Sequence, residues 1–172
     1  MLNLRCTNKI IRRCRIDKEH LKENGPSETI FGDWYCTLFE IDGRNATIYM
    51  SEKSFLSFIM LEGGRITPEK LSMCLLGGLG QALEMEGFDD KVIDEILRQH
   101  EEGSFSSIKD LSISGVMNAI ARDYQWIIEG VGGLEMCDIG AIIQHVNTMP
   151  RKKIDFASAS EKTKELISSI AT

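Results

Sequence analysis

The stretch Trp34-Tyr35-Cys36-Thr37-Leu38-Phe39-Glu40-Ile41, followed by Asp42-Gly43-Arg44-Asn45 and then Ala46-Thr47-Ile48-Tyr49-Met50, decides the fold class. Its first part is rich in aromatics and its last part in β-branched and aromatic residues, which suit a pleated surface. Between them sits a tight-turn composition with glycine. The segment reads as an antiparallel hairpin. Upstream, Met1-Leu2-Asn3-Leu4-Arg5-Cys6 alternates apolar and polar residues, as a half-buried strand does. A short helix is predicted over Lys9–Arg15, where Ile10, Ile11 and Cys14 share a face. Asn24-Gly25-Pro26-Ser27 reads as a turn. Downstream, Ser51–Leu61 fits either a short helix capped by Ser51 or a third strand, because periodicity cannot arbitrate over so short a run.

From Thr67 onward the pattern changes to helical. Thr67 is a good N-cap and Pro68 suits the first helical position. Leu71, Leu75, Leu79 and Leu83 then recur every four residues as one buried stripe, which Gly87 ends. Val92, Ile93, Ile96 and Leu97 form a second amphipathic helix with an acidic outer face. Gly103–Lys109 reads as a polar loop. Asp110 or Ser112 caps a third helix whose apolar residues run from Ile113 to Ile127, and Gly130-Val131-Gly132-Gly133 stops it. A fourth helix is predicted over Asp138–Val146. With strands early and helices late, the fold class is α+β. A small antiparallel sheet from the N-terminal third, strand plus hairpin, packs against a helical C-terminal half. Residues 1–172 read as a single domain, with 158–172 a terminal helix or tail.

The chain of 172 residues is 42% hydrophobic and 27% charged, a globular composition. The longest apolar run, Phe55–Leu61, is far short of the roughly 18–20 residues that span a bilayer. The N-terminus has no secretory-signal pattern. The five cysteines, Cys6, Cys14, Cys36, Cys74 and Cys137, include no Cys-x-x-Cys pair. They read as reduced thiols of a cytoplasmic protein.

The net charge of −6 is uneven. Residues 1–22 carry +5 and residues 84–102 carry −6, so one end can guide a partner or pair with the other. Two basic surface clusters stand out: Arg12, Arg13 and Arg15 beside Lys9, and Arg151, Lys152 and Lys153. Each suits a phosphate or an acidic partner. No aromatic pattern interleaves with them, so nucleic-acid association is the weakest of the binding readings.

Motifs that would announce a chemistry fail on inspection. Gly77-Gly78-Leu79-Gly80 lacks the Lys-Ser/Thr of a Walker loop and lies inside the leucine stripe, which points to close helix packing. Ser106-x-x-Lys109 lacks the elements that accompany a Ser/Lys nucleophile. His20, His100 and His145 have no partners at i+3 or i+4 and read as surface histidines. No metal site and no cofactor is expected.

Several strings carry a resemblance when read in order: Leu4-Arg5-Cys6-Thr7 with Lys9; Gly32-Asp33-Trp34-Tyr35; Ser51-Glu52-Lys53-Ser54 with Phe55-Leu56-Ser57-Phe58; Gln81-Ala82-Leu83-Glu84 with Glu86-Gly87-Phe88; and Gly115 with Met117-Asn118. Over about residues 1–150 the chain resembles the uncharacterised bacterial family catalogued as Domain of Unknown Function 6933. The family tends to carry Asn-Arg where this chain has Asp110-Leu111, so an arginine-based anion site before the third helix does not carry over. The resemblance brings no activity. It implies a free-standing bacterial, cytoplasmic domain.

The same strings supply a candidate ligand-binding set: Arg5, Lys9, Asp33, Trp34, Tyr35, Glu52, Lys53 and Asn118. If they converge, they make a mixed-charge pocket beside an aromatic wall, with Glu52 as a base or as the group that orients Lys53. The structural reading of the same residues is that Asp33 closes a turn, Glu52 sits in a first turn and Asn118 binds loop backbone. A non-catalytic binding or interaction domain is the leading functional reading. Its partner would be another protein or a second copy of the chain, with no membrane. An enzyme or small-ligand binder built on Arg5, Lys9, Trp34, Glu52, Lys53 and Asn118 is the alternative.

Overall fold

A computed structural model describes residues 1–23, 25 and 27–170. The hairpin forms as β2 (Trp34–Ile41) and β3 (Arg44–Ser51), with Ile41 opposite Arg44. Asp42 (φ 52°) and Gly43 (φ 72°) both adopt the left-handed conformation that a two-residue turn between twisted strands requires. The N-terminal strand is β1 (Leu2–Cys6), and α1 (Asn8–Cys14) follows it directly. Ser51–Leu61 resolves into a turn and a strand, β4 (Ser57–Leu61), paired antiparallel with β3. The turn predicted at 24–27 lies partly outside the described residues, since it includes Asn24 and Pro26.

The remaining helices are α2 (Pro68–Met85), α3 (Asp90–His100), α4 (Leu111–Gly130), α5 (Ile139–Asn147) and α6 (Ala159–Ile170). Local chemistry starts four of them. The side chains of Thr67, Asp89, Asp110 and Asp138 accept backbone N–H groups of Lys70, Val92, Ser112 and Ala141, satisfying donors that a helix start leaves unpaired.

The α+β class holds, but the sheet is larger and more mixed than a strand plus a hairpin. Its order is β4-β3-β2-β1-β5, where β5 is Gly103–Ser107, the segment expected to be a polar loop. β1 lies between β2 and β5 and is parallel to both. The sequence Gly-Ser-Phe-Ser-Ser has weak strand propensity, and pairing along all of β1 supplies what propensity does not. The outer edge of β5 is covered: Leu21 bridges Phe105 in parallel, and the Lys22 N–H donates to the Phe105 carbonyl at 2.8 Å.

Alternation along the strands sends Leu4, Cys6, Trp34, Cys36, Tyr49 and Phe58 to one face and Asn3, Arg5, Tyr35, Ile48 and Ser57 to the other. The first face is packed by α2, whose Leu71 carbonyl accepts the Tyr49 hydroxyl, and by α3, whose His100 ring lies 6.2 Å from Trp34. The second is packed by α4 and α5, where Tyr124 and Asn147 bond Ser57. Leu71, Leu75, Leu79 and Leu83 are buried as predicted.

His100 is not a surface residue. It is 1% exposed, between Phe31 and Trp34. Its Nδ1–H donates to the Ile96 carbonyl at 2.8 Å, and burial pushes the imidazole below its ordinary pKa, so it is neutral at pH 7.

The glycine cluster of α2 serves packing at one position only. A Cβ on Gly78 would overlap the Phe58 ring, which stacks on Tyr49, whereas Gly77 is exposed and faces open space. The two positions therefore respond oppositely to alanine. Gly78→Ala overpacks the core and costs about 1–3 kcal/mol. Gly77→Ala removes the backbone-entropy penalty of glycine and stabilises by up to about 1 kcal/mol. Urea unfolding midpoints of the two variants check both signs.

Candidate functional site

Gly32-Asp33-Trp34-Tyr35 and Ser51-Glu52-Lys53-Ser54 dock on each other. The second string is the turn between β3 and β4, closed by the Ser51 N–H to the Leu56 carbonyl (2.9 Å) and by the Ser51 and Ser54 hydroxyls (2.7 Å). Its backbone is tied to the chain entering β2: Glu52 N–H donates to the Asp33 carbonyl at 2.8 Å and Lys53 N–H to the Phe31 carbonyl at 3.1 Å. The Glu52 carboxylate reaches back to accept the Asp33 N–H at 3.0 Å. Gly32 makes this approach feasible. It has φ 72°, and a Cβ there would overlap the Glu52 carboxylate.

Asp33 is the hub of the site. Its side chain is 2% exposed. One oxygen accepts Arg5 Nε at 2.5 Å and Asn3 Nδ2 at 3.3 Å, and the other accepts the Ser27 N–H at 2.9 Å. Asn3 is positioned in turn by Ser106 of β5, whose hydroxyl donates to Asn3 Oδ1 at 2.9 Å. Tyr35 stands opposite Arg5 on the same face. Burial pushes its phenol up to about 12, with the nearby Glu52 charge adding to the shift and Arg5 opposing it.

Arg5 is the member of this group that reaches solvent, with a side chain 25% exposed. It lines a cleft of about 250 Å³ with Lys22, Glu23, Ser106, Ser107 and Lys109. Asp33 holds the guanidinium through Nε. The two Nη groups have no partner among the described residues. Lys109 is ion-paired with Glu23 at the mouth, where both side chains are largely exposed.

Arg5, Asp33, Tyr35 and Glu52 thus come together, and the rest of the candidate set lies elsewhere. Trp34 is fully buried on the opposite face of the sheet, packed on Phe31, Phe58 and His100. Lys53 is exposed, with its stem against Gly32. Lys9 lines a separate basic cleft with Arg12, Arg13 and Arg15. Asn118 is exposed on α4, where its carbonyl accepts Arg122 Nε at 3.3 Å. In the second basic cluster, Arg151 pairs with Asp123 at 2.5 Å, Lys153 donates to the Ser112 carbonyl at 3.3 Å, and Lys152 is exposed.

Sequence reasoning missed Asn3, Ser27, Lys22 and the partnership of Ser106 with Asn3. Asn3 carried a usable signal, since it alternates with Leu2 and Leu4 and so shares the Arg5 face.

The chain matches the family described as Domain of unknown function (DUF6933) over residues 3–162 of 172. It belongs to that family. A search of curated proteins finds no match. Of the family-like strings, those at 32–35 and 51–54 build the Asp33–Glu52 contact, and the one at 4–7 supplies Arg5.

Two outcomes test this geometry. Every group bonded to the Asp33 carboxylate is a donor, so Asp33→Asn turns an amide NH₂ toward a donor and leaves Arg5 without its counter-charge. Its expected cost is about 2–3 kcal/mol in denaturant unfolding. The second concerns alkaline pH. All three tyrosines, Tyr35, Tyr49 and Tyr124, are held above the ordinary phenol value of 10 by burial. The unfolded chain releases these protons first, so their contribution to stability is whole below pH 10 and falls as pH rises from 10 toward about 12. Phenolate absorbance near 295 nm should stay low in the folded protein below about pH 12, and any rise between pH 10 and 12 should coincide with loss of circular dichroism on the same samples.

Proposed function

We propose that this protein is a non-catalytic binding domain of the bacterial cytoplasm, and that its site takes a small anionic ligand carrying a carboxylate or phosphate. The observation that carries this reading is Arg5. A buried carboxylate orients it through Nε, leaving the Nη edge without a partner among the described residues, and Arg5 lines a cleft with Lys22 and Lys109. That edge is the part of a guanidinium that grips a carboxylate or phosphate with two parallel bonds. The exposed Lys109–Glu23 pair is worth little by itself, so exchanging Glu23 for a ligand anion costs little.

The carboxylates support binding over catalysis. Asp33 accepts three donors, and Glu52 is engaged with the Asp33 N–H. A general base needs its lone pair directed at a substrate. All five cysteines are free, which is in keeping with a reducing compartment. Among the described residues no helix is long and apolar enough to cross a membrane.

Titration calorimetry with inorganic phosphate, citrate and a nucleoside monophosphate, against the wild type and a Lys22→Ala/Lys109→Ala variant, tests the site. At least one anion should bind the wild type, with affinity falling about tenfold or more in the variant. Failure of all three to bind at millimolar concentration, or equal binding by the variant, overturns the reading. Arg5→Lys is a further probe. It keeps the charge but loses the fork, so it weakens binding even where melting shows the fold intact.

A further inference from the structure

The C-terminal half of β2 has an open edge. β1 ends opposite Cys36, and the Thr7 N–H closes the ladder on the Cys36 carbonyl at 3.0 Å. The chain then turns into α1, while β2 continues to Ile41.

The direction of the remaining backbone groups follows from the neighbouring ladders. The Asn45 carbonyl accepts the Glu62 N–H, so Asn45, Thr47 and Tyr49 are directed toward β4 and the alternate residues toward β2. Their partners Thr37, Phe39 and Ile41 face β3. Leu38 and Glu40 therefore direct both backbone groups away from it. The Glu40 carbonyl accordingly accepts Gln125 Nε2 at 2.6 Å. Leu38 does not extend the ladder to Thr7, whose carbonyl accepts the Ile11 N–H instead. The Leu38 N–H and C=O and the Glu40 N–H have no partner among the described residues.

This edge lies in a cleft of about 650 Å³ whose basic wall is α1, with Leu38 and Phe39 half-buried at its base. Arg13 is paired with Glu62 at 2.8 Å. Lys9, Arg12 and Arg15 have no carboxylate partner among the described residues, and Glu40 is the acidic side chain in the lining.

We propose that this edge binds an extended acidic segment of a partner protein by strand addition. The peptide backbone pairs with the Leu38 N–H and C=O and with the Glu40 N–H, and carboxylates two residues apart, on the side of the strand facing α1, meet Lys9, Arg12 and Arg15. A strand edge offers donors and acceptors in alternation, which an extended peptide matches. A nucleic-acid backbone offers chiefly acceptors and would find no stacking platform here. The surface shares no residue with the Arg5 cleft, so the two sites stand or fall separately.

Fluorescence polarisation with the full-length protein tests it, using a labelled peptide of about ten residues that alternates Glu with Val or Thr. Two further peptides carry N-methyl groups on one or the other set of alternate backbone amides, and an oligothymidylate of equal charge serves as the competing polyanion. The parent peptide should bind. One N-methylated form should bind about tenfold more weakly than the other, as expected for one or two lost hydrogen bonds. Arg12→Glu/Arg15→Glu, at exposed positions, should abolish binding. Absence of binding at low salt, equal affinity of the two methylated peptides, unchanged binding by the double variant, or oligothymidylate binding as tightly as the peptide overturns the proposal.

Discussion

A carboxylate buried in a protein interior must be matched by donors, and the Asp33 carboxylate is matched from both sides of its sheet position. Asn3 and Arg5 come from β1 and the Ser27 N–H from the loop before β2. The Asp33 backbone exchanges two bonds with Glu52 in the turn after β3. One residue thus joins the parallel part of the sheet, β1 and β5, to the antiparallel part built from the hairpin. Removing any donor would leave charge in a low-dielectric setting, where an unpaired group is expensive. The same requirement orients Arg5, so the constraint that stabilises the fold also prepares the one guanidinium that reaches the cleft.

The position of β1 explains most of the remaining architecture. Being parallel to both neighbours, it cannot be joined to either by a tight turn. The path from β1 to β2 goes through α1 and the loop that delivers Ser27 and Gly32. Its partner β5 arrives only after α2 and α3, and together they leave Leu2, Leu4 and Phe105 on one face and Asn3, Arg5 and Ser106 on the other. Because β1 is shorter than β2, the far end of β2 pairs with β3 on one side and has no strand on the other among the described residues, beside the basic helix α1. Both proposed sites therefore follow from one short central strand.

The polar face of β1 was partly legible. Alternation in Leu2-Asn3-Leu4-Arg5-Cys6 places Asn3 and Arg5 together. The same rule also forbids Trp34 and Tyr35 from lining one wall, since adjacent strand residues point to opposite faces. Tyr35 joined Arg5, and Trp34 went into the core with His100. Lys9 and Asn118 followed their own helices to other surfaces. The burial of His100 had no local signal. It closes an acidic helix, and only its contact with Phe31 and Trp34, far away in the chain, takes it out of water.

What the sequence by itself determined is what short-range physics controls: the Asp42-Gly43 hairpin turn, the helix starts at Thr67 and Asp138, the leucine stripe of α2 and the α+β class. These depend on φ preferences, caps and periodicity within a few residues. Tertiary structure alone decided that Gly103–Ser107 is a strand, that Gly78 rather than Gly77 yields to an aromatic ring, and that Asp33, Glu52 and Arg5 share one hydrogen-bonded centre. Each of those outcomes depends on pairing across many residues. No local preference encodes it, because its free energy comes from groups that meet only after the chain has folded.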